Sequence, residues 1–338
     1  MSRRAAFSIG DLTVRAGRTA IGELPVARLV TGTQVSLPLR VVHGATDGPT
    51  VWLSAAVHGD EIAGVEVIRR AVDALVPKHL AGTVIAVPIV NPHGFLSGDR
   101  YLPDRRDLNR SFPGSPRGSL AGRIAHLVTT EIVDRCDVGI DLHTGSDHRT
   151  NLPQVRADLD DPRTRSLALA FGAPVALHAQ LRDGSLRATA VARGARMLLF
   201  EGGEAWRFDP IAIDVAVAGI ARTLAALGMT EPFTGPPTTP TIECRGSRWV
   251  RARRTGICLL DAAPGETVEA GAPLATIRDA LGRVVARVKA PESGIVIGQT
   301  QHPLVNQGDA IVHLATPNHS DPRSETIQSD PLSSEVSP

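Results

Sequence analysis

The stretch AAVHGDEIAG, residues 55–64, sets His58 and Glu61 three positions apart. Imidazole and carboxylate are the donor types of catalytic zinc sites, which take three protein ligands and keep a fourth position for water. The pair follows TVWLSAAV, an unbroken apolar run of the kind expected for a strand buried on both faces. A strand-to-helix turn there folds both side chains to one side. A third ligand has to come from elsewhere. His143, just after the apolar VGIDL, stands at a second strand end, and His148 five residues later is its rival. Ligand sites in open α/β sheets lie beyond the carboxyl ends of strands. If the strands are parallel neighbours, Asn91, His93 and Gly94 after VIAVPIV, and Glu201 after RMLLF, converge on the same rim.

Ordinary readings stand beside each of these. H-x-x-E is a short pattern that chance produces often. His143 taken alone reads as a hydrogen-bonded rim histidine, and His93 in NPHG as a turn residue, because Asn-Pro and His-Gly are turn formers. His43, His126, His178 and His313 sit in helical or strand contexts and read as structural or surface histidines. Asp60 either orients His58 or caps the helix that Ile62 begins.

A second stretch, GDRYLPDRRDLNRSFPG (98–114), reads first as a solvated surface loop. Within it, however, Asn109 and Arg110 form an adjacent amide and guanidinium pair flanked by apolar Leu108 and Phe112. A planar guanidinium suits two-point capture of a carboxylate. Arg100, Arg105 and Arg106 add cationic groups to the same loop.

The elements that must position these residues follow from periodicity. Residues 1–48 form a β-rich lead-in. Over 49–230, buried-strand runs (TVWLSAAV, GTVIAVPIVN, VGIDLHTG, RMLLFEGG) alternate with helical patterns. Those patterns are IAGVEVIRRAVDAL, with Ile62, Val65, Ile68, Val72 and Leu75 on one line, then LAGRIAHLVTTEIV, LALAFG and DPIAIDVAVAGIARTLAALG. Alternating strands and helices indicate an α/β sandwich around a largely parallel or mixed sheet. Residues 231–241 are rich in Pro and Thr and read as a linker, and 242–316 as a small all-β domain of short strands and Gly/Pro turns. The polar, Ser/Pro-rich stretch 317–338 is expected to be a disordered tail.

Composition narrows the function classes. The 338 residues are 42% hydrophobic but only 3% aromatic, so the core must be built from Ala, Val, Leu and Ile. Lys+Arg 36 against Asp+Glu 35 gives no basic field for nucleic acid. Cys136, Cys244 and Cys258 make neither a disulfide framework nor a CxxC pair, so a metal here would be held by His and carboxylate. No apolar run has the length of a signal peptide or a membrane span, and a cytoplasmic protein is expected.

VHGDE, DLNRSFPG, DLHTG and LFEGGE, in that order across roughly 50–230, resemble the succinylglutamate desuccinylase/aspartoacylase family of zinc-dependent deacylases, relatives of the zinc carboxypeptidases. The resemblance implies a three-layer αβα sandwich with one Zn2+ per chain, held by His58, Glu61 and His143. It implies Asn109 and Arg110 as binders of a substrate carboxylate and Arg100 as a further substrate-facing arginine, although the spacer before DLNR is slightly longer here. Glu201 matches the family's general base and acid, with Glu204 a nearby rival, and Asp141, two residues before His143, either partners it or, by strand alternation, points elsewhere. The implied reaction is amide hydrolysis of a small N-acylated (acetyl- or succinyl-type) amino acid, a carbon–nitrogen bond other than a peptide bond. The alternative is a zinc carboxypeptidase acting on a peptide or cell-wall peptide, which the same arginine clamp would serve. A metal-free scaffold protein is disfavoured because every expected ligand and base type is present. No nucleic-acid or membrane partner is expected, and assembly into a homo-oligomer stays open.

The C-terminal stretch from PGETVEAG to AIVHLA resembles a barrel-sandwich hybrid of the biotinyl/lipoyl type. The matching hairpin, RDALGR, lacks the lysine a carrier would modify, and Lys289 lies in VKAP where the pattern turns back. A pocket-capping or structural role is therefore expected. Some deacylases of the family, including those that look like N-acetyl-diaminobutyrate deacetylases, carry such a domain.

Overall fold

The apolar runs become the interior of one long sheet. The computed structural model describes residues 4–235 and 239–318. The lead-in forms a hairpin, β1 (Phe7–Ile9) with β2 (Leu12–Val14), and a longer antiparallel pair, β3 (Arg18–Arg28) with β4 (Gln34–His43). The alternating region then runs β5 (Thr46–Ala55), α1 (Ala63–Asp73), β6 (Ala81–Val87), α2 (Pro92–Ser97), α3 (Leu120–Glu131), β7 (Val138–Gly145) and β8 (Arg149–Ala157). It continues with α4 (Pro162–Phe171), β9 (Val175–His178), α5 (Leu186–Ala192), β10 (Arg196–Glu204) and α6 (Pro210–Ala226). Strands β6, β5, β7 and β10 are parallel neighbours; β4 joins β6 and β8 joins β10 antiparallel, so the sheet is mixed.

Each central strand feeds two cores. Val51, Leu53 and Ala55 of β5 pack with α1, α4 and α6, while Trp52 between them packs with α3 and α5 on the other face. Burial on both faces is why these strands read as continuous apolar runs. Gly139 on β7 lies under the Trp52 ring, and a Cβ there would stand 2.0 Å from it.

Eight further strands follow among the described residues: β11 (Ile242–Arg251), β12 (Gly256–Leu260), β13 (Thr267–Val268), β14 (Pro273–Arg278), β15 (Val284–Lys289), β16 (Gly294–Thr300), β17 (Leu304–Val305) and β18 (Ala310–Pro317). Four of them, β15, β14, β12 and β17, form their own sheet. The others extend the main sheet to twelve strands, because β11 runs parallel to β9 and β16 pairs antiparallel with the start of β8. Strand β8 thus changes neighbour partway: Arg149–Asn151 face β16 and Gln154–Ala157 face β9. Leu152 and Pro153 fall in the gap, where a residue without an N–H is tolerated.

Some local expectations need correction. The buried stripe of α1 is Ala63, Gly64, Val67, Ile68, Ala71 and Val72, leaving Val65 and Leu75 only half-buried. His93 sits in the short helix α2 rather than a simple turn, because the Asn91 side chain accepts the Gly94 N–H at 2.9 Å and caps it. Asp60 does not cap α1, whose first turn has no side-chain cap. Of the expected tail, Pro317 closes strand β18 and Asn318 donates its N–H to the Glu243 carbonyl, while residues 319–338 lie outside the described residues, as do linker residues 236–238. All three cysteines are free, and no helix among the described residues is long and apolar enough to cross a membrane.

Candidate active site

Strand β5 ends at Ala55, and the chain turns sharply before α1 begins. Gly59 permits that turn to pack against α2: a Cβ on it would lie 1.9 Å from the Gly94 backbone. The turn brings His58 and Glu61 beside His143 on β7, with one donor atom from each within 4.8 Å of the others, all buried. Glu61 spans both imidazoles: Oε1 is 2.8 Å from Nδ1 of His58 and Oε2 is 2.7 Å from Nδ1 of His143. Both rings turn the opposite nitrogen to an aspartate. His143 Nε2 is 2.8 Å from Asp141 Oδ2, and Asp141 Oδ1 accepts the Ser54 hydroxyl at 2.7 Å. His58 Nε2 is 3.3 Å from Asp107 Oδ1, close but out of line for a hydrogen bond. The Asp141 hydrogen bond fixes the tautomer of His143, and in both residues the carboxylate behind the ring leaves Nδ1 facing a shared centre, as in metal-ligating histidines.

The electrostatics agree. Burial alone would discharge all three groups, but their mutual attraction outweighs it. Glu61 is held well below the ordinary carboxylate range by the two imidazoles, His58 is raised by Glu61 and Asp107, and His143 is raised well above its usual value by Asp141 and Glu61. The two imidazoles hold their protons against an ionised Glu61, and a divalent cation taken up by the same N and O donors would displace those protons. Asp60 is pushed up to about 6 by burial and by neighbouring Glu61, and its Oδ1 has no partner.

Glu201 reaches the same rim through sheet register. Strands β10 and β7 are parallel, and Glu201 stands directly opposite His143. Its Oε2 accepts from Asn151 Nδ2 at 2.8 Å, and Arg156 Nη1 lies 3.5 Å from Oε1. Glu204 lies past a bulge in β10, pairs with Arg207 at 3.6 Å and is absent from the cavity lining. Asp107 caps the single helical turn Leu108–Arg110 by accepting the Asn109 N–H at 2.8 Å. Asn109 Oδ1 accepts the Leu186 N–H at the start of α5 at 2.9 Å, which leaves its amide nitrogen as a donor. Arg100 is tied to this frame, with Nη1 2.8 Å from Ser146 Oγ and 3.4 Å from Glu61 Oε1, and Nη2 3.1 Å from Asp107 Oδ2.

These residues line one cavity of about 760 Å³, together with seven arginines and only two carboxylates, Glu61 and Glu201. Arg100 and Arg245 spend charge on Asp107 and Asp160. The far wall belongs to the C-terminal strands. Trp249 of β11 stacks on His313 of β18 at 4.5 Å, and the Arg149 guanidinium lies 5.5 Å from the Trp249 ring. His313 is therefore a cavity-wall residue rather than a structural or surface histidine; burial, with Arg156 and Arg182, pushes its pKa down to about 3. His43 is a structural histidine, held by Thr83 and the Ala5 carbonyl. His148 lies apart from the buried cluster, in a neighbouring cavity of about 540 Å³ with His302, its ring 5.5 Å from that of Trp206. Sequence reasoning missed Asp107, Asn151, Arg156, Arg182, Arg187, Trp249 and His313. Only Asp107 carried a usable signal, as an Asp positioned to cap the turn that holds Asn109.

A mixed sheet whose strand ends gather a His–Glu–His cluster and a facing glutamate defines a zinc-carboxypeptidase-like architecture. Residues 47–227 match the succinylglutamate desuccinylase/aspartoacylase catalytic domain, and the chain belongs to that family. The N-alpha-acetyl-L-2,4-diaminobutyric acid deacetylase of Halomonas elongata is 32% identical over 294 residues, covering 83% of this chain and 86% of the relative. A succinylglutamate desuccinylase/aspartoacylase structure from Rhodobacter sphaeroides superposes with a TM-score of 0.80 at 29% identity, covering 89% and 96% of the two chains. The product-bound ectoine utilization protein EutE (DoeB) of Ruegeria pomeroyi shares the fold, with a TM-score of 0.81 at 23% identity over 90% and 97%.

Proposed function

We propose that this chain is a zinc-dependent deacylase hydrolysing the amide bond of a small N-acylated amino acid, on a three-layer αβα scaffold. The observation that carries the reading is the buried Glu61 bridging His58 and His143, with Glu201 in register opposite His143. The three residues fit zinc in donor type and in the aspartates behind them. When bound, the ion would polarise the acyl carbonyl and acidify water. Glu201 takes the proton of the attacking water and returns it to the departing amine. The Asn109 amide nitrogen and the Arg110 guanidinium hold the substrate carboxylate, so that the scissile amide is presented to the cluster in one orientation.

The cavity supports a choice of substrate within the family. Its volume, with β11 and β18 forming a wall, suits a small molecule better than a peptide. A diamino substrate like that named for the Halomonas relative would find no carboxylate besides Glu61 and Glu201, whereas the arginine excess suits an acidic one. The test is a hydrolysis screen of N-acetyl and N-succinyl derivatives of acidic, neutral and diamino acids beside short peptides, with and without chelator. N-acyl acidic amino acids should be cleaved fastest, chelator should abolish turnover, and zinc should restore it. Preference for peptides, or turnover indifferent to chelator, would overturn the reading.

A further inference from the structure

We propose that Asn151 is the positioning residue for Glu201, and that the C-terminal strand β16 enforces its pose through Gly298. The inference rests on the reading of Glu201 as the base. A carboxylate on the rim of a cavity can rotate, and proton transfer requires it within hydrogen-bond reach of the water it serves. The Asn151 amide nitrogen fixes Oε2 at 2.8 Å. The carboxamide is itself constrained from behind, because β16 pairs with β8 at Gly298 opposite Asn151. A Cβ on Gly298 would stand 2.6 Å from Asn151 Oδ1 and 3.2 Å from the Thr150 carbonyl oxygen. The side-chain oxygen is the softer of the two, so an added methyl would swing the carboxamide and withdraw its amide from Glu201.

A second strut leaves the same strand. The Ile297 carbonyl accepts from Gln154 Nε2 at 2.9 Å, Gln154 Oε1 lies 3.5 Å from Arg156 Nε, and Arg156 flanks the other Glu201 oxygen. The C-terminal strands thus act on catalysis through β8, in addition to walling the cavity.

The test is steady-state kinetics on the best substrate of the screen, with zinc content and urea midpoints measured in parallel. Glu201→Gln, Asn151→Ala, Asn151→Asp, Gly298→Ala and the double variant Asn151→Ala/Gly298→Ala are compared. Each single change at Asn151 or Gly298 should lower kcat about 10- to 100-fold, the scale of a misplaced catalytic group. KM should stay within about 2-fold, with zinc content and urea midpoint unchanged, as expected when the base is misplaced for the chemical step while substrate binding is left intact. Asn151→Asp keeps the shape but cannot donate, so it should lose at least as much as alanine. In the Asn151→Ala background, Gly298→Ala should change kcat by less than about 2-fold, because the two act through one contact. Independent, multiplicative losses would overturn the coupling. Parental kcat in Asn151→Ala beside an inactive Glu201→Gln would overturn this inference alone; an active Glu201→Gln would overturn the reading beneath it as well.

Discussion

Acid should find this protein through His313. The imidazole is buried against Trp249, with Arg156 and Arg182 opposing its protonation, and its pKa is pushed down to about 3. In the unfolded chain an imidazole titrates near its ordinary value of about 6.5. Between these values the unfolded state binds a proton that the native state refuses, so stability is lost as pH falls from 6.5 towards 3. At pH 4.5, about two units below the unfolded value, the loss at about 1.4 kcal/mol per unit comes to roughly 2 to 3 kcal/mol. His313→Phe keeps an aromatic ring on Trp249, removes an Nδ1 that has no partner, and cannot take up a proton. Urea unfolding of parent and variant at pH 7.5, 6.0 and 4.5 separates this effect from the carboxylates and from the other histidines, which titrate in both proteins. The variant's advantage should be flat near neutrality and grow by about 2 to 3 kcal/mol at pH 4.5. Parallel stability curves would refute the reasoning.

His143→Ala should remove most of about one zinc per chain, as read by elemental analysis after purification; full retention would move the third ligand elsewhere. Arg110→Lys replaces a planar fork with a point charge and should raise KM about 10-fold while leaving kcat nearly unchanged, so an unaltered KM would sink the carboxylate clamp. Gly139→Ala puts a methyl 2.0 Å from the Trp52 ring and should cost at least about 1 to 3 kcal/mol in urea unfolding; a neutral result would mean that Trp52 repacks freely.

The metal-ligand candidates and Glu201 were legible because residue type and strand end coincide in each. His58, Glu61, His143 and Glu201 all follow apolar runs, and parallel register then brings their ends together. Strand β8 was not legible. In RTNLPQVRA the polar positions face a cavity and Pro153 interrupts the run, so neither alternation nor an apolar stretch marks it. Strand β9 and helix α5 are too short, at four and seven residues, for periodicity to register. Without β8 in view, Asn151 and Arg156 had no place near Glu201. Trp249 and His313 lie about 50 to 110 residues beyond it in the chain, and only the β11–β9 and β16–β8 pairings bring them back.

Those two pairings also bear on how the molecule comes apart. A chain stopped after Gly235 would uncover the outer edge of β9 and the opening residues of β8, a row of unpaired N–H and C=O groups at the mouth of the cavity. Raw edges of that kind recruit other strands, so the fragment should aggregate rather than work as a smaller enzyme. In the intact protein the shared ladder should bind the two regions into one cooperative melting unit, and amide exchange in β8 and β16, followed by mass spectrometry, should slow and quicken together.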